Sequence, residues 1–315
     1  MQEKMLFAGQ HDNYGNADEI IGVMLNKRVS AMQVHRVTQA YGKEFSFAVQ
    51  AERSLAPPLA TEIVYAEMDG GMVLTREDKW KEVKVGRVFK SVDCVQENAK
   101  RGCILQSQYV AHLGSLEPFC KTMDELLDDY GGTYLKERLV FITDGAVWIH
   151  NWSKDMFPNA VHVLDYYHAS EHLYDFVKLQ FKDDPAGKMW GKQQEALLLD
   201  SKVEQVIKEI NRLEAANMAA EKGKQDLIGY YTANITRMDY VRYKKIGAGL
   251  IGSGAIESAQ RTVVQKRLKQ SGQRWGIKGA QNVLNLRVVH MNGNWKKVID
   301  CIKNAAVAAN FKKAA

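Results

Sequence analysis

The stretch "RLVFITDGAVWIHNWSKDMFPNAVHVLD" (138–165) decides the class of fold. It holds two short, almost wholly apolar runs, and each ends on an aspartate, Asp144 and Asp165. Strands buried on both faces carry apolar residues at every position, because helices cover both sides of a parallel sheet. Between the two runs "AVWIHNWS" reads as a helix, so the segment predicts strand, helix, strand.

Upstream, "TEIVYAEMDGG" (61–71) reads as a strand that stops at Asp69 and a Gly-Gly turn. "MVLT" and "KEVKVGRVFK" continue in extended style and predict a three-strand meander. Residues 118–130 read as a helix, and another is expected from Tyr166 to Lys182. From Asp183 to Arg242 strand signals vanish and Ala, Leu, Lys, Glu and Gln dominate, which predicts several helices. The loop "KKIGAGLIGSG" (244–254) follows, then a helix through Lys269, one over 276–290 and one from Trp295. This order predicts an α/β chain whose mixed sheet has helices packed on it.

Near the N-terminus "ADEIIGVML" and "AMQVHRVTQAY" read as two helices, the second capped by Ser30 and closed by Gly42. A helix-turn-helix presenting Gln33, His35, Arg36 and Gln39 to DNA and a plain helical hairpin both fit. "APP" (56–58) reads as a linker.

The 315 residues, 46% of them apolar, suffice for a sizeable core, and no run reaches the length of a membrane span. Four cysteines without CxxC or zinc spacing point to free thiols and a cytoplasmic location. The net charge of +6 is segregated. Residues 258–315 hold twelve Lys and Arg against one acid, a net +11, which leaves −5 for the rest. A polyanion partner for the C-terminal part fits this segregation, as does a solvated basic face.

Sites in such sheets gather at the carboxyl ends of parallel strands. Asp69 and Asp144 each stand at an expected strand end before a glycine. Neighbouring carboxylates repel, and hard divalent cations remove that penalty. Glu257, alone at the start of the cationic run, supplies a third ligand if its helix crosses near both. It also fits a capping box from Gly254 or an i,i+4 pair with Arg261 worth about 0.2–0.5 kcal/mol. Glu257, Arg261, Gln265 and Lys269 fall on one helical stripe, along which a DNA duplex would lie; Lys266, Arg267, Arg274 and Lys278 widen the footprint. Trp275 reads either as a stacking platform for an unpaired base or as core. Asp165, His168 and His172 share a helical face and could hold zinc or serve the acidic site as supporting donors.

Taken together, "EMDGG", "ITDGAVWI", "LDYYHASEHL" and "GSGAIESAQRTVVQKRLKQSGQRWGIKGAQNVLNLR" resemble the DDE transposases of bacterial insertion sequences, of ISKra and ISLre type and related to the Mutator-like superfamily. The likeness spans residues 60–292. It implies a ribonuclease H-like catalytic core over 60–182 plus 246–292, interrupted by an all-helical insertion over 183–245. Residues 1–55 become a partial DNA-binding segment and 293–315 a basic C-terminal helix. The resemblance also implies Asp69, Asp144 and Glu257 as catalytic and metal ligands, with Asp165 and His168 behind them. Two Mg²⁺ ions, for which Mn²⁺ could substitute, would serve cleavage at element ends and strand transfer to target double-stranded DNA. A homo-oligomer is expected in the synaptic complex, and no membrane partner. A nuclease without strand transfer and an inactive DNA-binding remnant are the alternative expectations. Only about fifty residues precede the core, which predicts a shortened set of DNA-binding elements.

Overall fold

The computed structural model describes residues 1–45, 58–59, 61–98 and 101–314. The predicted 56–58 linker lies largely outside them. A five-stranded mixed sheet forms the centre, in the order β5-β2-β1-β6-β7. Its strands are β1 (Val64–Leu74), β2 (Trp80–Lys90), β5 (Gln108–Leu113), β6 (Leu139–Thr143) and β7 (Val161–Leu164). β2 lies antiparallel between β1 and β5, whereas β1, β6 and β7 run parallel. This is the mixed α/β sheet expected from the sequence, in an order compatible with a ribonuclease H-like arrangement. A two-stranded ribbon, β3 (Cys94–Asn98) with β4 (Arg101–Ile104), stands apart.

The first strand corrects the sequence reading. β1 does not stop at Asp69 but continues through Gly70 and Gly71 to Leu74. Its pairing with β2 is unbroken from Val64 opposite Lys90 to Leu74 opposite Trp80. Eleven consecutive partners outweigh the poor strand propensity of two glycines. The reversal comes at 75–79, where Thr75 accepts the Asp78 amide and Lys79 takes a positive φ of 56°. The third antiparallel strand is therefore β5 rather than "MVLT".

Alternation along β1 splits the core. Val64, Ala66 and Met68 face a cluster with Phe119, Met123 and Leu127 of α4 (Leu116–Asp129) and Ile149 of α5 (Val147–Met156). Tyr65 faces the other side, where α6 (Tyr166–Phe181) packs with the helices that follow it. Those are α7 (Pro185–Leu199), α8 (Val203–Arg212), α9 (Met218–Asn234) and the short α10 (Tyr240–Tyr243). The predicted strand-poor segment is thus helical throughout its regular structure.

The chain returns to the sheet through α11, one helix from Gly254 to Leu268 with a π-helical turn over Gln260–Gln265. The wide turn leaves the carbonyls of Thr262 and Val263 open to the buried Arg287, which donates to both. Ile256, Ala259 and Val263 pack on Val73, Val83 and Val85 together with α12 (Ile277–Met291). The last helix, α13, covers Trp295–Ala314.

At the N-terminus three helices form, α1 (Gln2–His11), α2 (Tyr14–Leu25) and α3 (Ala31–Gly42). The Ser30 cap is present as a full capping box with Gln33. α3 packs on α12 instead of standing free: Gln39 donates to the Gly279 carbonyl, and the Asn282 amide donates back to Gln39. Of the four residues expected to read DNA, Gln39 is thereby spent on internal contacts.

Candidate active site

The parallel register decides what can meet. Glu67 lies beside Ile142, and Thr143 beside Leu164. Followed past the paired residues, the same register sets Asp69, Asp144 and Asp165 in one row across β1, β6 and β7. All three fall on the sheet face that carries Tyr65 and Glu67.

Asp69 and Asp144 come together. Burial pushes the Asp69 carboxyl above the ordinary carboxylate range, and the charge of Asp144 pushes it further. Gln260 of α11 leans on the same group, and its amide also donates to the Asp69 carbonyl at 3.3 Å. A side chain at Gly71 would press on that amide, so the glycine lets α11 sit close to β1. His168 on α6 acts on Asp69 in the opposite direction and lowers it.

Asp144 is held by its own turn and by α9. Its Oδ1 accepts the Ala146 amide at 2.9 Å. Gly145 has a φ of 97°, a region side chains avoid, and its bare Cα faces the Tyr230 ring. The Tyr230 hydroxyl donates to the Asp144 carbonyl at 3.2 Å. Beneath them Arg237, almost fully buried, donates to Thr143 Oγ1 at 3.1 Å and to Asn234. Burial lowers the Arg237 pKa, and the tyrosines around it and Asp144 act against that. Tyr230 and Arg237 are site residues that the sequence reading missed, because nothing in their local pattern separates them from any amphipathic helix.

Asp165 has a different role. It caps α6 by accepting the Tyr167 amide at 2.7 Å and the His168 amide at 3.4 Å. Its second oxygen accepts the amide of Ser253 at 3.0 Å and also its hydroxyl. One carboxylate therefore joins the start of α6 to the start of α11. The zinc arrangement of Asp165, His168 and His172 does not form. Asp165 is saturated, His168 faces Glu171 at 3.5 Å, and His172 packs on Tyr230 with 4.3 Å between ring centres.

Glu257 is not drawn into the pair. Its side chain is 53% exposed and lies 3.5 Å from Arg261, the i,i+4 pairing. Its charge acts on Glu67, another carboxylate that the sequence reading missed. Glu67 is fully buried on β1, accepts the Ile256 amide at 2.7 Å and is pushed up to about 8, chiefly by burial. An acid inside "VYAEM" was the signal available. Among the described residues no group of three His, Cys, Asp or Glu stands ready to hold a metal ion.

The expected cations reach the surface, with one exception. Arg261, Gln265, Lys266, Lys269, Arg274 and Lys278 are exposed. Arg267, expected among them, is 1% exposed. Its guanidinium lies between the Tyr14 and Trp275 rings and donates to the Gly9 carbonyl at 2.9 Å. It is a core residue that ties α1 to α11, because its planar, weakly hydrated cation tolerates two aromatic faces. Trp275 is also core: its indole donates to the Leu268 carbonyl at 3.0 Å.

No helix among the described residues is long and apolar enough to cross a membrane. The described cysteines are all free. No curated protein matches the chain. A profile described as "Uncharacterised protein family (UPF0236)" matches residues 12–304, nearly the whole length. A match of that extent places the chain in UPF0236.

Proposed function

We propose that this chain is a DDE-type DNA transposase, which cuts phosphodiester bonds at element ends and joins the freed 3′-hydroxyl to target DNA. The observation that carries the reading is the Asp69–Asp144 pair at adjacent parallel strands, with α11 and its exposed cations lying across the same sheet face.

The pair fits a divalent cation. Two carboxylates close enough for one to raise the other are relieved by a hard cation between them. Glu257 as placed does not complete the ligand set, since its carboxylate faces Arg261. The Glu257–Arg261 contact is exposed and 3.5 Å long, so DNA entering along the cations would draw Arg261 to phosphate and free Glu257 to turn inward. Bound Mg²⁺ or Mn²⁺ would supply charge neutralisation at the phosphate and activation of the attacking oxygen.

The chain's own residues set the geometry. Asp69 and Asp144 hold the reacting end on the sheet. Tyr230 and Arg237 keep the Asp144 backbone in place, and Asp165 and Glu67 hold the start of α11 against it. Arg261, Lys266, Lys269, Arg274 and Lys278 orient the duplex through its phosphates. Synapsis of two element ends would need at least two copies, and a cytoplasmic location goes with the same reading.

A strand-transfer assay with Mg²⁺ and a pre-cut DNA end tests the proposal. Joined product from the wild type, lost in Asp144→Asn with DNA binding kept, supports it. Cleavage without joining points to a nuclease. DNA binding with neither reaction at any Mg²⁺ concentration points to an inactive binding protein, which the Glu257–Arg261 pairing would explain.

A further inference from the structure

Beside the start of α11 lies a cleft of about 850 Å³. Its floor is Glu67 and Arg87, cross-strand partners on β1 and β2. The β3–β4 ribbon and the loop 248–254 wall it, Gly254 and Ser258 of α11 edge it, and Tyr167 stands at its rim.

The floor is polar and rigid. Arg87 donates to the Ala255 carbonyl at 2.7 Å and to Ser107 Oγ at 2.9 Å, which fixes its guanidinium. Glu67 is fully buried, and only Oε2 has a partner; Oε1 has none. A buried polar atom without a partner is rare, and in native proteins it commonly marks a place for a ligand or water. The rim is aromatic and held in place. Tyr167 is 67% exposed, yet its ring lies on Gly252, where any side chain would collide with it.

We propose that this cleft takes one unpaired nucleobase of the bound DNA strand, with Tyr167 stacking on its face and Glu67 and Arg87 reading its edge. The inference rests on the transposase reading. A base offers a flat face to an aromatic ring and a polar edge with donors beside acceptors, which suits a carboxyl next to a guanidinium. Gly252 and Gly254 leave the entrance without side chains. The start of α11 would then meet DNA at two points, phosphates along Arg261 and a base at Ser258.

Fluorescence anisotropy without divalent cation tests it. Three labelled duplexes are compared: blunt, with a short 3′ overhang, and with the same overhang made abasic. Wild type should bind the base-bearing overhang about tenfold more tightly than the abasic one. Tyr167→Ala, and separately Ser258→Trp to fill the entrance, should remove that preference and leave blunt-duplex affinity and melting temperature unchanged. Equal affinity for both overhangs with blunt duplex still bound overturns the cleft and leaves the transposase reading standing. A preference that survives both substitutions overturns it too. Competition by free deoxynucleoside monophosphates together with equal overhang affinities would make this a free-nucleotide site, against the strand assignment. No binding to any duplex removes the transposase reading and this inference with it.

Discussion

The phenol of Tyr230, on α9, donates to the main-chain carbonyl of Asp144, at the end of a central strand, across 3.2 Å. The contact joins residues 86 positions apart and ties the helical segment after β7 to the candidate site. Burial raises the Tyr230 pKa, and Asp144 and Asp165 raise it further while Arg237 works against them, so the group stays a protonated donor. Tyr230→Phe keeps the ring against His172 and removes only the hydrogen bond. Stability should fall by about 0.5–1.5 kcal/mol in urea titration, and strand transfer should fall more than DNA binding as the Asp144 turn loosens.

Asp69→Asn and Asp144→Asn should each cut strand transfer by on the order of a thousandfold or more. Their effect on duplex affinity, read by anisotropy, should be small, because the proposed phosphate contacts lie on the exposed cations on and after α11.

Divalent cation should stabilise the fold. A ligand bound only by the native state raises its stability in proportion to RT ln(1 + [L]/Kd). Mg²⁺ should therefore raise the wild-type melting temperature at neutral pH, where it relieves the Asp69–Asp144 repulsion. The rise should be absent in the double Asn variant; a rise of the same size there would place the cation elsewhere.

The basic residues should separate into two kinds. Lys266→Ala and Lys269→Ala should each lower the slope of log affinity against log salt by about 1 and leave stability unchanged. Arg267→Ala should leave the slope alone and destabilise by about 3 kcal/mol, because it removes a buried cation from between two rings and strands the Gly9 carbonyl.

Acid should destabilise the protein in a definite window. Burial depresses His11, His112 and His162 to about 4. A histidine whose folded pKa lies below its unfolded 6.5 binds more protons when unfolded. The native state is therefore favoured above that value and loses stability as pH falls through 6.5 towards 4. His162 of β7, stacked on Phe141 of β6, is the cleanest probe. His162→Gln should flatten the stability curve between those limits, measured by denaturant titration at several pH values.

Much of the fold was legible before any tertiary contact. The two apolar runs are β6 and β7, the segment between them is α5, and Ser30 caps α3 as read. Local chemistry suffices there, since an apolar run ending on aspartate has few other solutions. The meander is not legible in the sequence, because Gly70 and Gly71 look like a turn until β2 pairs straight across them. The candidate site was legible in part. Asp69 and Asp144 sit together, but Glu257 faces Arg261 while Glu67, Tyr230 and Arg237 went unseen.

Sequence alone determined where the chain is apolar, where it turns helical and that its net positive charge concentrates in the C-terminal fifth, since these depend on neighbours a few residues away. Only tertiary structure decided which charges reach solvent and which carboxylates meet. Arg267 and Lys266 are adjacent and chemically alike in the chain, yet one lies between Tyr14 and Trp275 and the other lies in water. Register across β1, β6 and β7 brings Asp69 beside Asp144, and the packing of α11 sets the course of Glu257. Burial and distance belong to pairs of residues far apart in sequence, and these two quantities determine the energy of a charge.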